Sequence, residues 1–205
     1  MFSLNKLSPS ITDMIRFDHS HVTVTFHQYV GTAKSSVKKA LAETICDALE
    51  IHATLEEEIF YPVLRTIDGA DPALLKAPGE HDEMRRLIAE IRASNPNDLR
   101  YDSLVHELMR DVMHHVADEE TKLLPAAERL LSSDRLNELG AQMTKRRLQL
   151  LKPKAGKIAA NTAVGFSGST TAIVVGLASA VMAARFFSRK PGDATHSTSA
   201  AGSTL

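Results

Sequence analysis

The sequence predicts an all-α protein, an up-down-up-down four-helix bundle with an extra C-terminal helical segment. Apolar residues recur at intervals of three and four along four stretches between residues 10 and 131, which is the spacing of amphipathic helices. The connections between these stretches are short, and short connections favour antiparallel neighbours. Hydrophobic residues make up 43% of the 205 residues, with only 10 glycines and 8 prolines, so a core can form and many short strands are not indicated.

The first two helices are predicted from their apolar faces and their boundary residues. The first begins at Ser10 after a proline, and Gly31 ends it. The second begins near Ser35 and keeps one apolar face as far as Val63. The stretch "TIDGADPALLKAPGE" that follows is rich in Gly, Pro and Asp, which predicts a loop.

The third and fourth helices follow this predicted loop. The third is predicted to begin near Gly79 and to end at "SNPND", which offers two N-cap residues for the next helix. The apolar face of the fourth helix extends from Leu104 to Leu130. Residues 10–131 therefore form the predicted bundle.

Three further segments are predicted beyond the bundle. Residues 132–156 are an amphipathic helical extension and linker, residues 157–187 an apolar segment rich in small residues, and residues 188–205 a disordered tail. The stretch 158–184 carries no charge and is long enough to span a bilayer, although polar residues dilute its first half. A membrane helix and a soluble Ala/Gly-rich segment both stay open, and basic residues at both ends give no orientation.

Charge and cysteine content limit the partners and the compartment. The formal net charge of −1, without a basic patch interleaved with aromatics, gives no basis for a nucleic-acid partner. A single cysteine forms no internal disulfide, and the N-terminus lacks the apolar core of a secretion signal. We therefore predict a cytoplasmic protein, with anchoring to the inner face of the membrane by residues 158–184 as the alternative. The sequence does not give the oligomeric state.

A repeated motif is the main functional signal. "HATLEEEIFYP" begins at His52 and "HVADEETKLLP" begins at His115, and both have His first, Glu fifth and sixth, and Pro eleventh. An acidic residue followed by His precedes each motif, ending at His19 and His81, which lie 33 and 34 residues upstream of His52 and His115. Two helical hairpins related by a pseudo-twofold axis would bring four histidines and two glutamates together. The closing prolines, Pro62 and Pro125, are predicted to end or kink their helices.

The residue types in this repeat favour a metal site over surface ion pairs. His and Glu four residues apart lie on one face of a helix, and here that face is apolar. A glutamate on a core face needs a partner, because an isolated buried carboxylate is very costly. Mixed nitrogen and oxygen ligands suit two iron ions, with manganese possible, whereas a structural zinc site usually has four ligands and often sulfur. The predicted metal ligands are His19, His52, Glu56, His81, His115 and Glu119.

With these motifs the chain resembles the hemerythrin-like, HHE cation-binding domain family over about residues 10 to 131. The matching stretches are "DH" at 18–19, "HATLE" at 52–56, "EH" at 80–81 and "HVADE" at 115–119. The resemblance implies a four-helix bundle with a non-haem di-iron centre in which Glu56 and Glu119 bridge both irons. It also implies oxygen binding and a role in the stress response.

The chain departs from the oxygen-carrying hemerythrins at two positions. Arg85 stands where those proteins have a second histidine one turn after His81, and Glu119 lies four residues after His115 in place of an aspartate five residues after it. One iron position would then be less saturated by the protein and open to water, oxygen, nitric oxide or peroxide. Arg85 is predicted either to act behind the ligands or to cover the end of the bundle.

The predicted function is therefore a di-iron protein that binds, senses or reacts with a small diatomic ligand or peroxide. No catalytic acid, base or nucleophile set is visible, and no other cofactor-binding residue is predicted. One alternative is an oxidase or peroxidase-type enzyme, although ferritin-like sites carry Glu-x-x-His and this chain carries His-x-x-x-Glu. Another is a membrane-anchored bundle with a structural metal. His21 and His114 are predicted to face solvent, and Asp111 either accepts the second N–H of His115 or is exposed.

Overall fold

Every regular element in the computed structural model, which describes residues 9–166, is a helix, and the predicted all-α fold is confirmed. The first hairpin of the bundle pairs α1 with α2, and the second pairs α4 with α5. Short connections make these neighbours antiparallel. The helices are α1 (Ile11–Gln28), α2 (Ser35–Leu55), α3 (Tyr61–Asp68), α4 (Pro72–Ala93), α5 (Leu99–Asp118), α6 (Leu124–Leu130), α7 (Ser133–Leu151) and α8 (Ala155–Gly165).

Two π-helical turns continue the bundle helices where the prolines were predicted to end or kink them. The first π turn (Glu56–Phe60) joins α2 to α3, and the second π turn (Glu119–Leu123) joins α5 to α6. Each turn immediately precedes the first residue of the helix that contains Pro62 or Pro125. A proline lacks the N–H of an α-helical bond and crowds the carbonyl one turn earlier. A wider turn before the proline relieves both problems, so the helix continues.

Helix α4 begins earlier than the sequence predicted. The stretch interpreted as a loop up to Gly79 is helical from Pro72, because Pro72 occupies the first turn and the Asp71 side chain accepts a hydrogen bond of 2.7 Å from the Ala73 N–H. Leu74 and its neighbours in this turn are buried in the core. Their burial offsets the cost of Pro78 inside the helix, which local propensity alone would not predict. The predicted start of α1 is confirmed, since Ser10 caps it by accepting from the Asp13 N–H.

Two kinds of contact hold the bundle helices together, an apolar cluster and a buried ion pair. At one end an apolar cluster joins α1, α3, α4, α6 and α7, and includes the fully buried Ile15, Phe60 and Leu124. Burial of such a side chain contributes about 1.5–3 kcal/mol. Elsewhere in the bundle the buried Lys38 donates hydrogen bonds of 2.8 and 2.9 Å to the two oxygens of Asp102, which joins α2 to α5.

The segment after the bundle is helical as far as it is described. Helix α7 packs against α1 and α2, and α8 packs against α2 after a 3₁₀ turn at Lys152–Lys154. Within residues 9–166, no helix combines the length and apolar character that crossing a bilayer requires. Residues 167–184 of the uncharged stretch, and the tail predicted at 188–205, lie outside the described residues. The predicted domain boundaries, the location and the membrane association stay predictions.

Candidate metal centre

The six predicted ligands converge between the four bundle helices. His19 comes from α1, His52 from α2, His81 from α4 and His115 from α5, and the two glutamates open the π turns. None of the six is more than 5% exposed. His52 Nε2 lies 3.2 Å from Glu56 Oε1, and His115 Nε2 lies 3.6 Å from Glu119 Oε2. The repeat therefore presents its His and Glu inward on both hairpins.

The ligand atoms form two overlapping groups, each within 4.8 Å. The first group contains four residues from three helices, and the second contains three. Glu56 belongs to both groups, whereas Glu119 belongs to the first alone. The groups are His19, His52, Glu56 and Glu119, and then Glu56, His81 and His115. Each group could hold a metal cation, and the two groups share Glu56.

Four buried atoms of the first group have no hydrogen-bond partner, and they test whether a metal fits. They are His19 Nε2, His52 Nε2, Glu56 Oε1 and Glu119 Oε2. Leaving a buried polar atom unsatisfied costs about 1–3 kcal/mol, and more for a charged group. All four atoms face one another, and all are nitrogen or carboxylate oxygen, the donors that iron and manganese accept. The residues present therefore fit a metal cation.

Each histidine has its own carboxylate on the ring nitrogen that points away from the centre. His19, His81 and His115 have their Nδ1 atoms 2.9 Å from carboxylate oxygens, while His52 Nδ1 lies 3.5 Å from Asp18. The partners are Glu120 for His19, Asp18 for His52, Glu57 for His81 and Glu80 for His115. A carboxylate on Nδ1 fixes the tautomer and ring orientation and leaves Nε2 for a metal.

These four acids were only partly recognised from the sequence. Asp18 and Glu80 were part of the motif without an assigned role, and Glu57 and Glu120 were given none. Asp111, considered for His115, instead accepts from Arg110, and Glu80 takes the place beside His115. The sequence contained one sign of this role, since each of the four acids is adjacent in the chain to a predicted ligand. A neighbour of an inward-facing residue can point to the next helix of the bundle and reach the histidine there.

Tyr61 is a further residue at the centre that sequence reasoning missed. Its buried hydroxyl donates a hydrogen bond of 2.8 Å to Glu119 Oε1 and lies 3.2 Å from Glu56 Oε2. Burial and the two carboxylates raise the pKa of Tyr61 far above its usual range, so the hydroxyl keeps its proton. The equivalent position in the second motif is Leu124.

Without a metal, protons on His19 and His115 offset part of the buried carboxylate charge. Burial lowers the pKa of His115, but the carboxylates of Glu56 and Glu80 raise it more, to about 10. The same competition raises the pKa of His19. Burial raises the pKa of Glu56, but the charge of His52 and of the neighbouring histidines holds it well below its usual range. A metal ion would take the place of these protons.

A small cavity lies beside the ligands. It measures about 10 Å³ and is walled by Val22, Leu49, Val112 and Val116 next to His19, His52 and His115. A cavity needs about 10–15 Å³ to hold one water molecule. The space next to the ligands therefore suits a molecule of very few atoms.

The other predicted positions lie away from the ligands. His114 is exposed, as predicted, and His21 is only partly buried. Arg85 donates a hydrogen bond of 2.7 Å to Glu57, the carboxylate that holds His81. Arg85 therefore occupies the position behind the ligands that the sequence offered as one of two interpretations.

Comparisons with known proteins agree with this geometry. The profile of the "Hemerythrin HHE cation binding domain" matches residues 10–127. A protein of Nostoc sp. (strain PCC 7120), named "DNA nickase", is 31% identical over 134 residues, and the match spans 65% of this chain and 38% of that protein. A crystal structure of a hemerythrin HHE cation binding domain-containing protein from Mycobacterium kansasii superposes with a TM-score of 0.63 at 19% identity, covering 74% of this chain and 93% of that one. The structural likeness supports the fold.

Proposed function

The chain belongs to the hemerythrin HHE cation-binding domain family, and from this premise we propose that it holds two iron ions and binds, senses or reacts with oxygen, nitric oxide or peroxide. Its His/Glu cluster is able to bind metal. The observation that carries the proposal is the set of four buried ligand atoms that face one another without a hydrogen bond. In the apo centre they meet as two His–Glu pairs at 3.2 Å, and cations would bind all four of them.

The two ions would be held unequally. One would be held by His19, His52, Glu56 and Glu119, and the other by Glu56, His81 and His115. Glu56 belongs to both groups and would contribute to holding both ions, whereas Glu119 belongs to the first group. The ion held by three residues is the less saturated one, which agrees with the prediction from the sequence. The nitrogen and oxygen donors also fit manganese.

The residues around the ions have separate roles. When bound, iron supplies redox chemistry and positions that small ligands can occupy. The four acids behind the histidines fix the rings, so that each Nε2 atom faces the centre. Tyr61 holds a proton at its hydroxyl and directs it at Glu119. The valines and Leu49 give the cavity beside the ligands an apolar wall.

The cavity beside the ligands is too small for an organic substrate. Pockets for organic ligands usually measure about 300–1,000 Å³, and the cavity at the ligands measures about 10 Å³. We extend no action on DNA to this chain, because it spans only 38% of the Nostoc protein and its net charge of −1 gives no attraction to phosphates. The role in the stress response stays a prediction.

Metal analysis after anaerobic reconstitution with ferrous iron tests the proposal. We expect about two iron ions per chain, since each ligand group would hold one. His52→Ala and His115→Ala should each lower the iron content. His114→Ala is the matched control, because it removes the exposed neighbour of His115 and should leave the iron content unchanged. Fewer than about one iron per wild-type chain would contradict the proposal.

Absorbance spectra of the loaded protein distinguish binding from turnover. Exposure to oxygen, nitric oxide or peroxide should change the spectrum with saturation at a fixed amount of ligand per chain. Catalytic consumption of peroxide over many cycles would instead favour the oxidase or peroxidase-type alternative. No spectral change with any of the three would contradict the proposed ligand class.

A further inference from the structure

Helix α7 lies outside the stretch matched by the family profile, yet it packs against the elements that carry the first motif. Its principal contacts are with α1, α2 and the first π turn. Leu139 and Met143 are each 1% exposed and belong to the same core cluster as Ile15 of α1. Gly140 allows a close approach, because a Cβ atom there would lie 2.1 Å from the carbonyl oxygen of Pro9. The helix is therefore part of the packed structure around this half of the centre.

Arg147 of α7 reaches the carboxylate behind one of the ligands. Its two terminal nitrogens donate hydrogen bonds of 2.5 Å to the two oxygens of Asp18. Both side chains are largely buried. Asp18 Oδ2, one of these acceptors, lies 3.5 Å from His52 Nδ1. Arg147 is therefore hydrogen-bonded to the carboxylate that is paired with His52, although the 3.5 Å between Asp18 and His52 Nδ1 is an ion-pair contact and not a hydrogen bond.

The geometry of this pair fixes the plane of the carboxylate. A guanidinium fork that donates to both oxygens of a carboxylate sets its orientation, which a lysine, as a point charge, does not do. The segment after Arg147 is also held, because Lys154 donates hydrogen bonds to Asp47 at 2.9 Å and to Glu50 at 2.7 Å on α2. The position of Arg147 is thus fixed on one side by the buried Leu139 and Met143, which precede it in the chain, and on the other by the ion pairs of Lys154, which follows it.

Two of the other acids behind the histidines are held by cations of the bundle itself. Glu57, behind His81, pairs with Arg85 of α4, and Glu80, behind His115, pairs with Lys76 of α4. Asp18 is the acid whose cation comes from beyond residue 127, where the family match ends. Its distance to the histidine is also the longest of the four, at 3.5 Å against 2.9 Å for the other three.

We propose that Arg147 is a positioning residue of the metal centre, which sets the orientation of His52 by fixing Asp18. The proposal rests on the proposed metal-binding function and extends the centre to α7. It requires the ion held by His52 to depend on Arg147, and the ion held by His81 and His115 to be nearly independent of it. Removal of a partner behind a metal-binding histidine typically costs 10–100-fold in metal affinity.

Cobalt(II) titration of the full-length chain tests this proposal, because cobalt(II) gives absorption bands that report the ligand geometry. Arg147→Met should weaken one of the two ions by about 10-fold or more and change its bands, with the second ion within about twofold of wild type. Arg147→Lys should give an intermediate loss, since charge is kept and the fork is lost. The matched control is Arg146→Met, which removes a neighbouring fork that holds Glu58 at the exposed surface and should leave both ions unaffected.

A double-mutant cycle separates positioning from general damage to the fold. Asp18→Asn should weaken the same ion, and adding Arg147→Met to it should cause little further loss, because both changes break one chain of contacts. If Arg147→Met lowers metal affinity as much in the Asp18→Asn background as in wild type, the positioning proposal is wrong. It is also wrong if Arg147→Met binds metal like the control Arg146→Met. Neither result would contradict the proposed metal-binding function. A wild-type chain that binds no cobalt would overturn the proposed function and this proposal together.

Discussion

The two hairpins of the bundle carry one motif but provide two different environments for it. In both, a histidine is followed one turn later by a glutamate, and a π turn starts at that glutamate. The Tyr61 N–H bonds to the Glu56 carbonyl, and the Leu124 N–H bonds to the Glu119 carbonyl, so the backbone geometry is repeated. The side chains that follow differ, because one is a phenol and the other is aliphatic. A symmetric backbone frame therefore produces an asymmetric centre.

The asymmetry divides the ligands unequally. Glu119 belongs to one ligand group, whereas Glu56 belongs to both, and the Tyr61 hydroxyl lies closer to Glu119, at 2.8 Å, than to Glu56, at 3.2 Å. Helix α7 adds Arg147 to the first hairpin. The comparison teaches that the repeat places the six predicted ligands. One position that differs between its two copies, Tyr61 against Leu124, and Arg147 of α7 then make the two halves of the candidate centre inequivalent.

The largest expected effect comes from removing the shared ligand. Glu56→Gln keeps the shape of the side chain and removes the charge that would serve both ions, so iron content should fall from about two per chain towards zero. Glu119→Gln removes a ligand of one group and should leave about one iron per chain. Metal analysis of both variants after anaerobic reconstitution measures this difference. Equal losses from the two variants would mean that both glutamates bridge.

The pH dependence should be the next largest effect. The raised pKa of His115, about 10, means that the apo protein gains stability from its proton below about pH 6.5 and loses this contribution as the pH rises towards 10. Metal must displace that proton, so metal affinity should rise with pH across the same window, by about tenfold per pH unit for each proton displaced. The difference between the thermal unfolding midpoints with and without cobalt(II) should therefore grow as the pH is raised from 6.5 to 9. A constant separation would contradict the assignment of His115 as a proton-bearing ligand.

Tyr61→Phe should have a smaller effect that tests the asymmetry directly. It leaves Glu119 Oε1 without its donor, and an unsatisfied buried acceptor costs about 1–3 kcal/mol. Urea denaturation of the apo protein measures this cost. The control is Tyr101→Phe, since Tyr101 is also buried and makes no side-chain hydrogen bond within the described part of the chain. Equal stability losses for the two variants would show that the phenol contributes only packing.

The smallest expected effect concerns the segment that covers the first hairpin. Lys157 contacts Glu43 at 2.7 Å and Asp47 at 3.0 Å, but its side chain is 45% exposed and Asp47 keeps Arg92 and Lys154. Lys157→Met should therefore cost less than about 1 kcal/mol, and added salt should shrink the difference. Arg86→Met on the second hairpin, which breaks exposed pairs, should give a similarly small loss. A loss of several kcal/mol from Lys157→Met alone would show that the first hairpin depends strongly on this segment.

Much of the fold and of the candidate site could be predicted, because both follow from periodic patterns. The spacing of apolar residues gave the four helices, and the doubled His-x-x-x-Glu with its upstream acid–His pairs named the six residues that the structure brings together. The start of α4 was predicted wrongly because Pro and Gly favour a loop locally. The burial of Leu74 and its neighbours overrides that preference.

The sequence by itself determined which residues share a helix face, since that depends only on their spacing. The tertiary structure decided which acid meets which histidine, because those pairs join different helices. It also decided the place of Tyr61. A π turn aligns residues five apart, and this brings the hydroxyl of Tyr61 over Glu56, where an α-helix would align residues four apart. Arg147 reaches Asp18 across 129 residues of sequence, and only the packing of α7 could bring them together.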